Sequence, residues 1–159
     1  MGAEAKTIAV LVSNPALSSI LTMVLASVPA LRVRPFETQL ALTTYMRLAP
    51  VDVIVSDFDN TSARADALAR ALRMDTRLER RDFQFIALAS SVSGDTKALA
   101  SAAGIDEIIL KPMSPKYLLE RVLSRLARRA AHAARKTPAA PQWPANVIPL
   151  FGRTPQPQA

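Results

Sequence analysis

The chain has 159 residues, 50% of them hydrophobic, which suffices for one domain with a buried core. It has no cysteine and a single histidine, which excludes disulfides, thiolate metal sites and a histidine-built zinc site. The formal charge of +7 is unevenly placed, because residues 1–120 hold 13 basic and 13 acidic side chains whereas residues 121–159 hold 7 basic and no acidic ones. A neutral body with a basic extension reads as a scaffold that carries an anion-binding element.

The start of the chain lacks a basic region followed by a sustained apolar segment, and apolar runs such as residues 8–12 are too short to span a bilayer. Lys6 stands where a myristoylation signal after Gly2 wants Ser or Thr, so no lipid anchor and no membrane insertion are expected. A soluble, cytoplasmic protein is the expectation. Residues 7–12 form a short apolar run that predicts the first strand. Ser13-Asn14-Pro15 then supplies a cap and a first-turn proline for a helix with Leu17, Ile20, Leu21, Val24 and Leu25 at helical spacing. A weaker strand at 31–36 leads into a helix over Gln39–Leu48. Residues 51–57 give a third strand, apolar enough to be buried on both faces, that ends in Asp57. A helix with Ala65, Leu68, Ala69 and Leu72 on one face follows. The fourth strand is placed at 83–88, a short helix at 95–103 and the fifth strand at Glu107–Leu110. The last helix begins near Ser114-Pro115 and is expected to bury Leu118, Leu119, Val122, Leu123 and Leu126.

Five strand–helix repeats with strands apolar throughout predict an α/β protein, a parallel sheet covered by helices on both sides. Such sheets place their sites at the carboxyl ends of the strands. Past Lys136 the composition changes, and six prolines between residues 138 and 157 exclude a regular element there. This stretch is expected to be mobile without a ligand. It holds Trp143 and a compact apolar cluster of Val147, Ile148, Leu150 and Phe151, which would suit docking on the domain, on a ligand or on another protein.

Asp57 at the end of the third strand and Lys111-Pro112 after the fifth, preceded by Gly104-Ile105-Asp106-Glu107, stand in register with the five-fold repeat. Over roughly residues 6–128 the chain thereby resembles the receiver domains of two-component response regulators. The resemblance implies the CheY-like, flavodoxin-like (βα)5 sandwich of three layers with sheet order 2-1-3-4-5, and it gives Asp57 the position of the phosphoacceptor. The chain departs from that pattern where the phosphorylation chemistry resides. Ser13 and Asn14 occupy the positions of the acidic pair that holds Mg²⁺ in receivers, and two neutral side chains do not replace carboxylates around a hard dication. Asp59 lies on a different loop from that pair. The switch hydroxyl position falls on Ala89, with Ser90 beside it, and the aromatic switch position falls on Ile108. The expectation is a vestigial pocket of Asp57, Lys111, Ser13, Asn14, Asp59 and Ser90, with Asp57 and Lys111 as an ion pair and Mg²⁺ not bound. No catalytic residue and no metal ligand is assigned, and the protein is not expected to be an enzyme.

Arg121, Arg125, Arg128, His132 and Arg135 recur at steps of four, three, four and three, with Arg129 and Lys136 on the flank. At about 100° per residue this is one stripe on an extension of the last helix over residues 121–136, ahead of the Pro-rich residues 137–159. Like charges at i,i+4 cost a few tenths of a kcal/mol each, roughly, which an anionic partner would offset. A solvated helix face explains the same spacing, and the helix dipole favours arginine at this end. Arginine in preference to lysine suits a ligand with both phosphate and guanine, because its planar fork pairs with either. Trp143 would then stack on an exposed base, and docking on the domain's own surface accounts for it equally well. A receiver with an Arg-rich C-terminal stretch is similar to the CheY-like cyclic di-GMP effectors called Cle proteins. That similarity implies cyclic di-GMP as ligand, bound by Arg121, Arg125, Arg128, Arg129, His132, Arg135 and Trp143, and a flagellar motor switch or other signalling protein as partner, with recruitment to the motor or cell pole. The alternatives are a stand-alone receiver phosphorylated on Asp57, nucleic-acid binding through the basic arm, which the neutral body disfavours, and a purely structural adaptor.

Overall fold

A computed structural model of the protein describes residues 4–59 and 64–136. Trp143, the cluster at 147–151 and the rest of the Pro-rich stretch 137–159, on which the expectation of a mobile tail falls, lie outside the described residues. The elements alternate strictly as β1 (Lys6–Leu11), α1 (Pro15–Ala26), β2 (Leu31–Pro35), α2 (Gln39–Leu48), β3 (Val53–Asp57), α3 (Ala65–Met74), β4 (Gln84–Ala89), α4 (Gly94–Ala103), β5 (Glu107–Leu110) and α5 (Pro115–Lys136). The five strands form one parallel sheet in the order β2-β1-β3-β4-β5, the order expected.

Alternation along each strand divides the core into two. On one face Ala9, Ile54, Phe85 and Ala87 pack with Leu42 and Met46 of α2, Leu68, Ala69 and Leu72 of α3, and Ala100 and Ala103 of α4. On the other, Ile8, Val10, Val55, Ile86, Leu88 and Ile109 pack with Leu21 and Leu25 of α1 and Leu118 and Val122 of α5. Each of the larger side chains fully buried here stabilises the fold by about 1.5–3 kcal/mol. β3 lies at the middle of the sheet with every residue buried, which fixes its last residue, Asp57, at the centre of the strand-end surface.

Local signals set the helix ends. Asn14 Oδ1 accepts from the amides of Ala16 and Leu17, Thr38 Oγ1 from Ala41, and Ser93 Oγ from Thr96, each satisfying an amide that the first helical turn leaves without a partner. Gly104 ends α4 in the left-handed conformation with φ +88°, where a side chain is strained, and a Cβ there would lie 3.0 Å from Arg73 Nε.

Leu123 corrects the expected face of α5. Leu118 and Val122 are buried and Leu119 and Leu126 pack partly into the same core, but Leu123 is 41% exposed. It follows Val122 by one residue, so about 100° of rotation carries it past the core-facing sector. The chain divides into two compact units at Ala127 and Arg128, and the described part of the second is the end of α5. Among the described residues no helix is long and apolar enough to cross a membrane.

β2 and β5 are the two sheet edges, and β2 carries Arg32, Arg34 and Pro35 along Leu31–Pro35. Just past α3, Asp75 accepts from the amide and Nε of Arg77 on Oδ1 and from Nε and Nη2 of Arg47 on Oδ2. The Arg77 bonds, reinforced by Arg47 against the effect of burial, depress the Asp75 carboxyl from an ordinary 3.8 to about 2. A carboxyl depressed in the fold stabilises above its unfolded pKa and loses that contribution as pH falls. The stability difference between wild type and Asp75→Asn should therefore be constant above about pH 5 and shrink as pH falls through about 4 towards about 2, which urea unfolding across that range would measure.

Candidate functional site

At the carboxyl end of the sheet, β3 presents Asp57 between the loop after β1 and the loop after β5. The carboxylate is buried and both oxygens are engaged. Oδ2 accepts from the Ser13 amide at 2.8 Å, and Oδ1 accepts from Lys111 Nζ at 3.1 Å in an ion pair. Ser56 Oγ donates to the Asp57 carbonyl at 3.0 Å. The Lys111–Pro112 peptide is cis.

Among the other members of the expected pocket, Asp59 alone carries a carboxylate. Ser13 contributes its amide to Asp57, and Asn14 turns its side chain to the first turn of α1. Asp59 is exposed, and Ser90 is exposed beside the buried Ala89. Ile108 packs at the margin of the core under α4. A hard dication requires several anionic or carbonyl oxygens at once. Here the one buried carboxylate already accepts from an amide and an ammonium, and the described residues contain no group of three candidate metal ligands.

The stripe on α5 is divided in two by Glu107. This residue opens β5 and lies on the same strand face as Ile109, which packs against α5. Its Oε2 accepts from Arg121 Nε at 2.5 Å, while Oε1 accepts from Arg121 Nη2 at 2.8 Å and from Arg125 Nε at 2.7 Å. Burial alone would raise the Glu107 carboxyl, but the hydrogen bonds and charges of Arg121 and Arg125 prevail and hold it below the usual range. The Arg121 guanidinium is correspondingly raised by the Glu107 bond.

The mutual repulsion expected along the whole stripe is thus corrected for its first two members, since a shared carboxylate sits against both. Arg128, His132 and Arg135 are exposed, and Arg128 and Arg135 make no ion pair among the described residues. Arg129, one position further round the helix, is half-buried. Trp143 lies outside the described residues. The partner that sequence reasoning missed is Glu107. Alternation along Glu107–Leu110 put it on the α5 face with Ile109, but nothing in the sequence alone paired that strand position with Arg121 and Arg125.

Beside β5, a groove of about 520 Å³ is lined by Val92, Lys97, Ala100, Ile108 and Leu110 together with Asp106 and Glu107. Leu110, 53% exposed, gives the groove an apolar edge.

No protein-family model matches the sequence, and no curated protein does. Solved structures match closely in fold. A CheY-like response-regulator receiver domain protein from Methanospirillum hungatei superposes with a TM-score of 0.72 at 17% identity, over 81% of this chain and 99% of that one. The receiver domain of a LuxO-type repressor protein from Vibrio parahaemolyticus gives 0.72 at 12% identity, over 83% and 98%. Chemotaxis protein CheY4 of Vibrio cholerae gives 0.67 at 22% identity, over 77% and 98%. The chain has the receiver fold.

Proposed function

We propose that the protein is a non-enzymatic, CheY-like signalling protein that binds cyclic di-GMP through the arginine-rich end of α5 and acts by contact with another protein. The observation that carries this reading is the exposure of Arg128, His132 and Arg135 on α5 in a part of the sequence with no acidic residue after Glu120. The forks of Arg128, Arg129 and Arg135 suit phosphodiester oxygens and the O6/N7 edge of guanine, and Trp143 is the candidate to stack on a base. Receiver-like output through protein contact is supported by the fold and by the groove between α4 and β5 with its apolar margin. A flagellar motor switch protein is the partner suggested by the likeness to Cle proteins, which would recruit the chain to the motor or cell pole.

Calorimetric titration with cyclic di-GMP, repeated in the presence of GTP, tests the ligand. Micromolar or tighter binding that GTP does not abolish is the expected result. Binding that falls steeply with salt and extends equally to single-stranded RNA would instead identify a nonspecific basic arm.

Phosphorylation of Asp57 is the second reading, and the engaged carboxylate argues against it. Incubation with acetyl phosphate and Mg²⁺ followed by mass spectrometry should leave Asp57 unmodified. A stoichiometric mass increase on Asp57 would restore the phosphorylated-receiver reading.

A further inference from the structure

Among the described residues, Glu107 is the carboxylate set against Arg121 and Arg125, and it holds these two guanidiniums of the stripe by three short, charge-assisted hydrogen bonds. Toward Arg121 it uses both oxygens against Nε and Nη2, the fork-to-fork arrangement in which arginine also takes two phosphate oxygens. We propose that Glu107 is a built-in counter-anion, which occupies Arg121 and Arg125 until a phosphate-bearing ligand displaces it from them. This rests on the anionic-ligand reading above and adds to it an internal competitor that sets the affinity.

The consequence follows from competition. A ligand that takes Arg121 and Arg125 from Glu107 gains bonds of the same kind as those it breaks, so in the wild type these two arginines add little net affinity. The side chains are placed for exchange. Glu107, Arg121 and Arg125 retain 14%, 27% and 15% side-chain exposure, so the cluster is sheltered but reachable from solvent. With the carboxylate neutralised, the two guanidiniums would keep their positions beside β5 and lose their anion. An added phosphate would then supply it without competition.

The test is a double-mutant cycle. Wild type, Glu107→Gln, Arg125→Ala and the double variant are titrated calorimetrically with cyclic di-GMP and, separately, with inorganic pyrophosphate. Thermal melts confirm that each is folded, with Glu107→Ala as a second neutral variant should Glu107→Gln not fold. Glu107→Gln should bind each anion about tenfold tighter than wild type. Arg125→Ala should weaken binding by less than about threefold in the wild type and by about tenfold in the Glu107→Gln background. Equal affinities of folded Glu107→Gln and wild type, an equal effect of Arg125→Ala in both backgrounds, or no binding of either anion to the folded variant would overturn the proposal. If pyrophosphate binds the variant more tightly while cyclic di-GMP binds neither protein, the counter-anion stands and the nucleotide reading fails.

Discussion

Replacing Arg128 and Arg135 together by alanine is expected to lower the affinity for cyclic di-GMP by at least about a hundredfold. Hydrogen bonds between ionised partners contribute about 1.5–3 kcal/mol each, and two guanidiniums removed from a phosphodiester forfeit at least two of them. Alanine is the best helix former, and both positions are exposed on α5, so the substitution should leave helix content unchanged or slightly raised in circular dichroism. Lost binding with retained helix then reports on contacts with the ligand and not on unfolding. Lysine at both positions is the informative companion. It restores the charge without the planar fork, and should recover only a minor part of the affinity if guanine edges or paired phosphate oxygens are recognised. Full affinity in the alanine variant would end the assignment of the ligand to this end of α5.

Arg73→Met should destabilise the domain by about 2–3 kcal/mol, read as a fall in Tm of roughly 6–9 °C for a chain of this size. Arg73 sits in the last turn of α3 and donates through Nη1 to the carbonyls of Arg81 and Phe83, at 2.9 and 2.7 Å. Through Nη2 it donates to the Gly104 carbonyl at 2.7 Å and to Asp106 Oδ2 at 3.0 Å, and its guanidinium lies 4.0 Å from the centroid of the Phe83 ring. Asp106 in turn accepts from the Phe85 amide on the same oxygen. One cation thus joins the end of α3, the start of β4 and the turn into β5. Burial lowers its pKa and Asp106 works in the opposite direction, the balance expected when a charge is desolvated and paired at once. Methionine keeps the volume of the stem but leaves the carbonyls and a carboxylate without their donors. The effect belongs to the fold alone, so the folded variant at low temperature should bind cyclic di-GMP as the wild type does. Weakened binding there would show that this cluster influences the stripe.

The alternation of apolar runs with helical spacing was sufficient to place all five strands and all five helices, because burial on both faces leaves a parallel strand few other readings. Boundaries moved by a residue or two. Residues 51–52 precede β3 because Asp52 is occupied otherwise, its carboxylate accepting from the Thr7 amide at 2.8 Å and its own amide donating to the Thr7 carbonyl at 2.9 Å. The Asp57–Lys111 ion pair was legible, since the topology brings the ends of β3 and β5 to one surface. Pairings that depend on which side chain reaches across were not legible. Glu107 with Arg121 and Arg125, and Arg73 with Asp106, join residues 14, 18 and 33 apart, and no periodicity encodes such distances.

The composition of β2 also governs how the sheet can grow. A parallel sheet that ends in an open strand offers a ladder of donors and acceptors to any passing chain. At this end the ladder is broken by Pro35, which has no amide hydrogen to give, and flanked by Arg32 and Arg34, whose like charges repel an identical edge. Copies of the protein are thereby discouraged from stacking strand to strand along β2. A domain with a strongly basic arm is thereby less prone to seed a fibre from that edge, and assembly through its other surfaces is favoured over pairing along β2.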